Sequence, residues 1–227
     1  MTKAAWTKIA LALAVAPFLC STSHAQIDAA LSVYGAFGQS VSGNNTQQNP
    51  ANQAGGLFEL RQIKSTLVGY EGTYAYNRAD QRLSSISSVC PVNDTSCSIS
   101  AAAIAANAHE VTGDWIISLR GPTLRPFALA GGGVLLNVPT KGTVTTTTCG
   151  TVNPLCSQTT TAATTSTSTK GVFVYGAGLD WELLPHLGLR FQYRGNVYKA
   201  ADLTNSFTST NAFARNSEPM IGVFFRL

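Results

Sequence analysis

The chain has 227 residues, of which 44% are hydrophobic, 9% aromatic and only 11% charged, with a formal net charge of +4. Soluble domains carry about 25% charged residues, so an ordinary water-covered surface is excluded, and the hydrophobic content excludes a disordered chain. No apolar run approaches the roughly 18 residues of a spanning helix, which excludes a helical membrane protein and leaves a β-rich, exported chain.

Residues 1–25 read as a cleaved signal peptide. Lys3 and Lys8 precede the apolar run Ile9 to Leu19, and Ser23-His24-Ala25 is a small-x-small cleavage site. Residues 26–227 form the mature domain. Bulky Phe18 and Leu19 before Cys20 do not fit a lipobox, and cleavage after Ala25 discards that cysteine. The leader takes two lysines and no acids from the +4 total, leaving +2 on the mature chain, too little for nucleic acid binding.

Hydrophobicity then alternates with period two in eight segments. In the first, Leu31, Val33, Gly35 and Phe37 alternate with Ser32, Tyr34, Ala36 and Gly38. Phe58 and Leu60 oppose Glu59 and Arg61 in the second; Val68, Tyr70, Tyr74 and Tyr76 oppose Gly69, Glu71, Thr73 and Ala75 in the third. The fourth sets Val111, Trp115, Ile117 and Leu119 against Glu110, Asp114, Ser118 and Arg120. The fifth, Pro126 to Leu136, has Phe127, Leu129 and Leu135 on one face and Ala128, Ala130 and Gly132 on the other. In the sixth, Phe173, Tyr175, Ala177, Leu179 and Trp181 oppose Val174, Gly176, Gly178, Asp180 and Glu182. Leu189, Phe191 and Tyr193 oppose Arg190, Gln192 and Arg194 in the seventh, and Ile221, Val223, Phe225 and Leu227 oppose Gly222, Phe224 and Arg226 in the eighth.

The connections alternate in length. Residues 62–65, 121–125 and 184–186 are short turns, whereas 39–55, 77–108, 137–170 and 199–217 are long. Short periplasmic turns and long extracellular loops distinguish outer-membrane barrels, and eight strands put both termini on the periplasmic side. A soluble barrel would need its Gly-, Ala-, Ser- and Thr-rich face outside, a poor solvent surface. In a membrane barrel the aromatic and aliphatic face meets lipid while small and charged residues share the interior. The expected fold is therefore all-β, an eight-stranded antiparallel up-and-down transmembrane β-barrel. Tyr70, Tyr74, Tyr76, Trp115, Trp181 and Tyr193 are candidates for its interfacial girdles.

The interior assignment gathers five acids, Glu59, Glu71, Asp114, Asp180 and Glu182, and five bases, Arg61, Arg120, Arg190, Arg194 and Arg226. An eight-stranded barrel has an interior just wide enough for side chains to fill, so these charges are expected to pair into a plug. Asp180 and Glu182, facing Arg190 and Arg194, then read as ion-pair partners rather than an acid–base couple.

Four cysteines remain in the mature chain, Cys90, Cys97, Cys149 and Cys156, as two pairs of equal spacing with a Pro and an Asn inside each. Local 90–97 and 149–156 disulfides are the expected pairing of the three arrangements open to four cysteines. The spacing does not suit zinc, which needs C-x₂₋₄-C, and His109 and His186 stand alone. No cofactor is expected.

Arg125-Pro126-Phe127-Ala128 with Gly131 to Gly133, the run Gly176 to Asp180 followed by Arg190, and the closing Gly222-Val223-Phe224-Phe225-Arg226-Leu227 resemble the small eight-stranded outer-membrane β-barrel proteins of the OmpA/OmpX type, from about Val33 to the end. The resemblance implies a bacterial outer-membrane location among outer-membrane lipid. It also implies recognition of the last strand by the barrel-assembly machinery, although members usually end on an aromatic residue and this chain ends on Leu227. It is nearly silent about function.

A structural or surface-interaction role is the expected function; a narrow porin-like pore and a lipid-modifying enzyme are the alternatives. Acyl chemistry needs Ser beside His with an orienting acid. His109 and Glu110 with Ser98 and Ser100 upstream are the only strand-borne candidates, and no strand face joins them. Gly131 to Gly133 lacks the Lys-Ser or Lys-Thr of a phosphate loop and reads as close backbone packing. Thr143 to Thr169 holds 13 threonines in 27 residues, with the β-branching of a hairpin, and Ile99 to Ala108 is alanine-rich, suggesting a short helix. These polar tips are where an extracellular ligand would bind; resistance to proteolysis explains them equally well.

Overall fold

In a computed structural model, residues 26–64, 67–85, 96–119, 121, 123–150 and 156–227 are described. Residues 1–25, expected from the sequence to be a signal peptide, lie outside them, as do Cys90 and Arg120. The staves are β1 (Gln26–Gly38), β4 (Gln53–Ile63), β5 (Val68–Arg78), β7 (Ser96–Ser118), β8 (Leu124–Gly150), β10 (Ser168–Leu184), β11 (Leu187–Lys199) and β12 (Phe213–Arg226). Each pairs antiparallel with the next, and β12 closes on β1 through nine Cα pairs from Asp28↔Arg226 to Gly38↔Asn216. Closure leaves no stave with an unpaired edge, the condition for strands in hydrocarbon. At 11 residues, β4 and β5 are as long as a tilted crossing strand needs, about 9–11 residues. The fold is a closed eight-stranded up-and-down transmembrane barrel. Its termini meet at the short-turn end, where the Leu227 amide donates to the Ile27 carbonyl at 2.8 Å.

Polarity is inverted relative to a water-soluble barrel. Leu31, Val33, Trp115, Ile117, Phe173, Ile221 and Phe225 are exposed on the outer wall, while Glu59, Arg61, Arg190 and Arg194 are 0% exposed within. One stave departs from the expected facing. On β8 the larger side chains Phe127, Leu129 and Leu135 point inward, and Ala128, Ala130 and Val134 face out. Both faces of this segment are apolar, so alternation alone does not orient it. The interior takes the bulk because the Phe127 ring lies under two buried guanidiniums, those of Arg61 on β4 and Arg190 on β11.

Gly131 and Gly133 let β8 lie tight against β7. A Cβ at Gly133 would sit 1.9 Å from the Val111 carbonyl oxygen, and one at Gly131 2.3 Å from that of Gly113, so no side chain fits.

Four short strands extend the long-loop end: β2 (Val41–Gly43), β3 (Thr46–Pro50), β6 (Gln81–Ser85) and β9 (Cys156–Ala162). Asn44 and Asn45, with φ of 48° and 57°, make the two-residue turn joining β2 to β3. The alanine-rich stretch expected as a helix is instead strand: Ile99 to Ala108 belongs to β7, paired with β8 throughout and with β6 at Ala101–Ile104. Alanine favours helix by fractions of a kcal/mol per residue, and two flanking ladders override it. The threonine-rich segment is a hairpin, with β8 running to Gly150 and returning as β9.

Beneath these extensions lies a second apolar cluster. Leu83, Ala102, Ile104 and Ala106 pack against Ala201 and Leu203 of the β11–β12 connection. That connection is tied down by Ser166 N to Leu203 O (3.0 Å), Thr204 Oγ1 to Thr164 O (2.9 Å) and Asn44 Nδ2 to Ser209 O (2.7 Å). The mouth of the barrel is thereby roofed.

Candidate functional site: the charged interior and the loop end

Inward positions recur every second residue, so paired staves place inward side chains side by side. At the short-turn end Arg226 reaches both Asp28 (3.6 Å) and Glu182, and Arg125 meets Glu182 at 3.2 Å. One level up, Arg61 and Glu71 are register partners at 2.7 Å, and Asp180 and Arg190 are partners at 2.7 Å. Arg61 also reaches Asp180 (3.0 Å), and Arg190 reaches Glu59 (3.1 Å) and Glu71 (3.6 Å), closing one network across the lumen. Its guanidiniums lie on aromatic faces, Arg61 at 4.0 Å and Arg190 at 5.5 Å from the Phe127 ring centroid, and Arg190 at 5.5 Å from that of Phe224. This is the role of inward Phe127: a ring quadrupole substitutes for water on one face of each cation.

Nearer the loop end, Arg194 donates to Glu110 Oε1 (3.0 Å) and Thr112 Oγ1 (3.4 Å). Thr112 donates to Asp114 (3.0 Å). The Asn196 amide bridges Glu110 and Glu218 at 2.9 and 3.0 Å. Nine of the ten charges expected inside are in described residues and point inward; Arg120 is not described. Four further groups belong with them: Asp28, Glu110, Arg125 and Glu218. Asp28 precedes the alternating segment that begins at Leu31, Arg125 ends the short turn 121–125, and Glu218 falls between the 199–217 loop and the alternation that begins at Ile221. Glu110 was already on the inward face of its strand. For Asp28 and Glu218 the available signal is parity, since each lies in step with inward Ser32 or Gly222.

The balance consequently differs from five acids against five bases. Above the Asp28–Arg226–Glu182–Arg125 cluster, six carboxylates (Glu59, Glu71, Asp180, Glu110, Asp114 and Glu218) face three guanidiniums, those of Arg61, Arg190 and Arg194.

On the outer wall His109 Nδ1 is 2.9 Å from the Tyr74 hydroxyl, with the Tyr76 ring at 5.1 Å between centroids. Ser98 and Ser100 pair instead with Thr148 (3.2 Å) and Thr146 (3.3 Å), and at 3.3 Å per residue Ser100 lies about 30 Å along β7 from His109. The two serines and the histidine do not meet. Cys149 and Cys156 form a disulfide at the β8–β9 tip, with Cα atoms 4.1 Å apart. The 90–97 pairing lies outside the described residues.

The sequence matches no protein-family model and no curated protein. Among solved structures, the fold is similar to Neisserial surface protein A at 13% identity, covering 90% of this chain and 98% of that one with a TM-score of 0.47. It is similar to Ail, the attachment invasion locus protein of Yersinia pestis, at 13% identity, 89% and 99% coverage and a TM-score of 0.43. The outer membrane protease OmpT from Escherichia coli also aligns, at 9% identity, 89% and 97% coverage and a TM-score of 0.41.

Proposed function

We propose that this chain is a bacterial outer-membrane barrel with a non-catalytic surface-interaction role, and that its interior does not conduct. The observation that carries the reading is the division of the molecule into two parts. The barrel is plugged by ion pairs and roofed by the Leu83–Leu203 cluster, and a β7–β8–β9 sheet continues beyond it. Past its last pairing with β10 at Asn137, β8 runs on to Gly150, a reach of about 40 Å at 3.3 Å per residue. From Thr143 to Thr169 it carries no charged residue, and cross-strand hydroxyl pairs such as Thr145 with Thr160 (3.1 Å) stiffen it. A rigid, hydroxyl-covered blade suits contact with a polar extracellular surface, while the barrel anchors it in outer-membrane lipid with both termini in the periplasm. The last strand, Phe213–Arg226, is the segment offered to the barrel-assembly machinery.

The test is planar-bilayer recording on the purified protein, together with the same protein lacking residues 200–212. The intact protein is expected to give no steady single-channel steps. Reproducible steps from it would favour the porin-like alternative.

A further inference from the structure

Gly131 and Gly133 are glycines because β7 leaves no room for a side chain, but Gly171 is not one of these: a Cβ there would meet no atom within 4 Å. Its missing side chain opens a groove of about 460 Å³ in the outer wall at the loop end, walled by Phe173, Val197, Lys199 and Phe213. That volume falls within the roughly 300–1,000 Å³ of ligand clefts. The register sets the outward rows. Phe173, Val197 and Arg215 pair in turn across β10, β11 and β12, and Lys199 pairs with Phe213 one row nearer the loops. Exposed Phe173 and Tyr175, their ring centroids 6.3 Å apart, give this wall the aromatic band of a membrane–water interface. Arg215 is level with Phe173 and Lys199 stands about 7 Å beyond it at 3.3 Å per residue, the depth of lipid headgroups.

The groove is also unbalanced in charge. Lys170, on its wall, is neutralised by Asp202 at 2.7 Å. Lys199 donates to Asn211 Oδ1 (3.1 Å), and among the described residues neither Lys199 nor Arg215 has an ion-pair partner. Apart from Asp80 and Asp202, each paired with a base, every described carboxylate faces the lumen, so no acid competes for these two cations.

We propose that the groove holds one phosphorylated glycolipid of the outer leaflet, with an acyl chain against Phe173, Val197 and Phe213 and a phosphate on Lys199 and Arg215. The inference rests on the outer-membrane reading above, which turns this end of the barrel outward. Diagonal neighbours on paired strands stand about 7–8 Å apart, so the two long side chains reach one phosphate, Arg215 as a fork and Lys199 as a point charge. Because the groove continues the lipid-facing wall, its occupant is apolar at one end and anionic at the other. A soluble phosphate ester would leave the two phenylalanines uncovered. Thr169 on the groove wall and Asn211 beside Lys199 add neutral hydrogen-bonding groups suited to sugar hydroxyls.

Native mass spectrometry of the folded, detergent-solubilised protein with diphosphoryl lipid A is the test. One lipid A per chain is expected, with phosphatidylglycerol and dephosphorylated lipid A each binding at least tenfold more weakly. Lys199→Gln combined with Arg215→Gln is expected to weaken lipid A binding at least tenfold. Gly171→Leu should do the same by filling the apolar half, where no protein atom is displaced. Arg82→Gln, which removes an exposed base on β6 away from the groove, should leave binding unchanged. Heat-modifiable mobility is checked for every variant, and if the double variant does not fold, the comparison of the three lipids on the wild type decides. Equal binding of the three lipids, displacement of lipid A by millimolar inorganic phosphate, or a loss with Arg82→Gln equal to that of the double variant would overturn the proposal. Any of these in a heat-modifiable protein refutes the groove alone and leaves the barrel standing, whereas a wild type without heat-modifiability refutes the barrel reading itself.

Discussion

Arg190 is wholly buried yet touches Asp180, Glu59 and Glu71, so one side chain holds three carboxylates. Truncating it leaves those charges in the lumen without a counter-ion, whereas burying the intact network costs little net. Arg190→Ala is therefore expected to destabilise the barrel by about 3–5 kcal/mol, measured by urea unfolding in lipid vesicles. Phe127→Ala removes the ring beneath Arg61 and Arg190 and opens a void; a loss of about 3–5 kcal/mol is expected in the same assay, more than Ala130→Gly on the outer wall of the same strand. At this scale the sequence was only partly readable. Alternation assigns residues to two faces but does not say which face is inside where both are apolar, and Phe127 is that case. Glu218 escaped because Pro219 on the outward face interrupts the apolar pattern of β12, and Glu110, though read as inward, was not counted among the paired charges.

The eight staves were legible because the lipid and lumen faces impose opposite chemistry on successive residues. What lies above them was not. The stretch from Ile99 to Ala108 has helical composition, and only pairing with β6 and β8, contacts distant in sequence, makes it a strand. From sequence the roof is only a long connection, because Ala201 and Leu203 are too few to form a pattern, yet they meet Leu83 and Ile104. Its attachment includes Lys170 and Asp202 at 2.7 Å. Partial burial pushes the Asp202 carboxyl up, but hydrogen bonds from Lys170 and Ser209 and the Lys170 charge outweigh this and hold it below the ordinary aspartate value. A carboxyl lowered by folding contributes fully above that ordinary value of 3.8 and loses its contribution as pH falls through the lower folded value. Proteolytic nicking of residues 200–212 by an acid protease should accelerate across that window, and Asp202→Asn should nick at one rate throughout; equal pH dependence in both would contradict the assignment. At the β8–β9 tip, Cys149→Ser is expected to speed cleavage between the hairpin strands without altering the unfolding of the barrel, because the bridge closes only a local loop.

For the whole molecule the decisive property is that the apolar face is the outer one. A charge placed on it should then be expensive in a bilayer: Ile221→Lys is expected to cost about 2–4 kcal/mol of stability in vesicles, near-midplane substitutions being the costliest. The most direct measurement is electrophoretic heat-modifiability of the protein extracted from the outer-membrane fraction, run boiled and unboiled in SDS. A closed membrane-spanning barrel stays folded without boiling and migrates apart from the boiled chain. Identical mobility in the two lanes, with recovery of the protein in the soluble periplasmic fraction, would contradict the inside-out barrel.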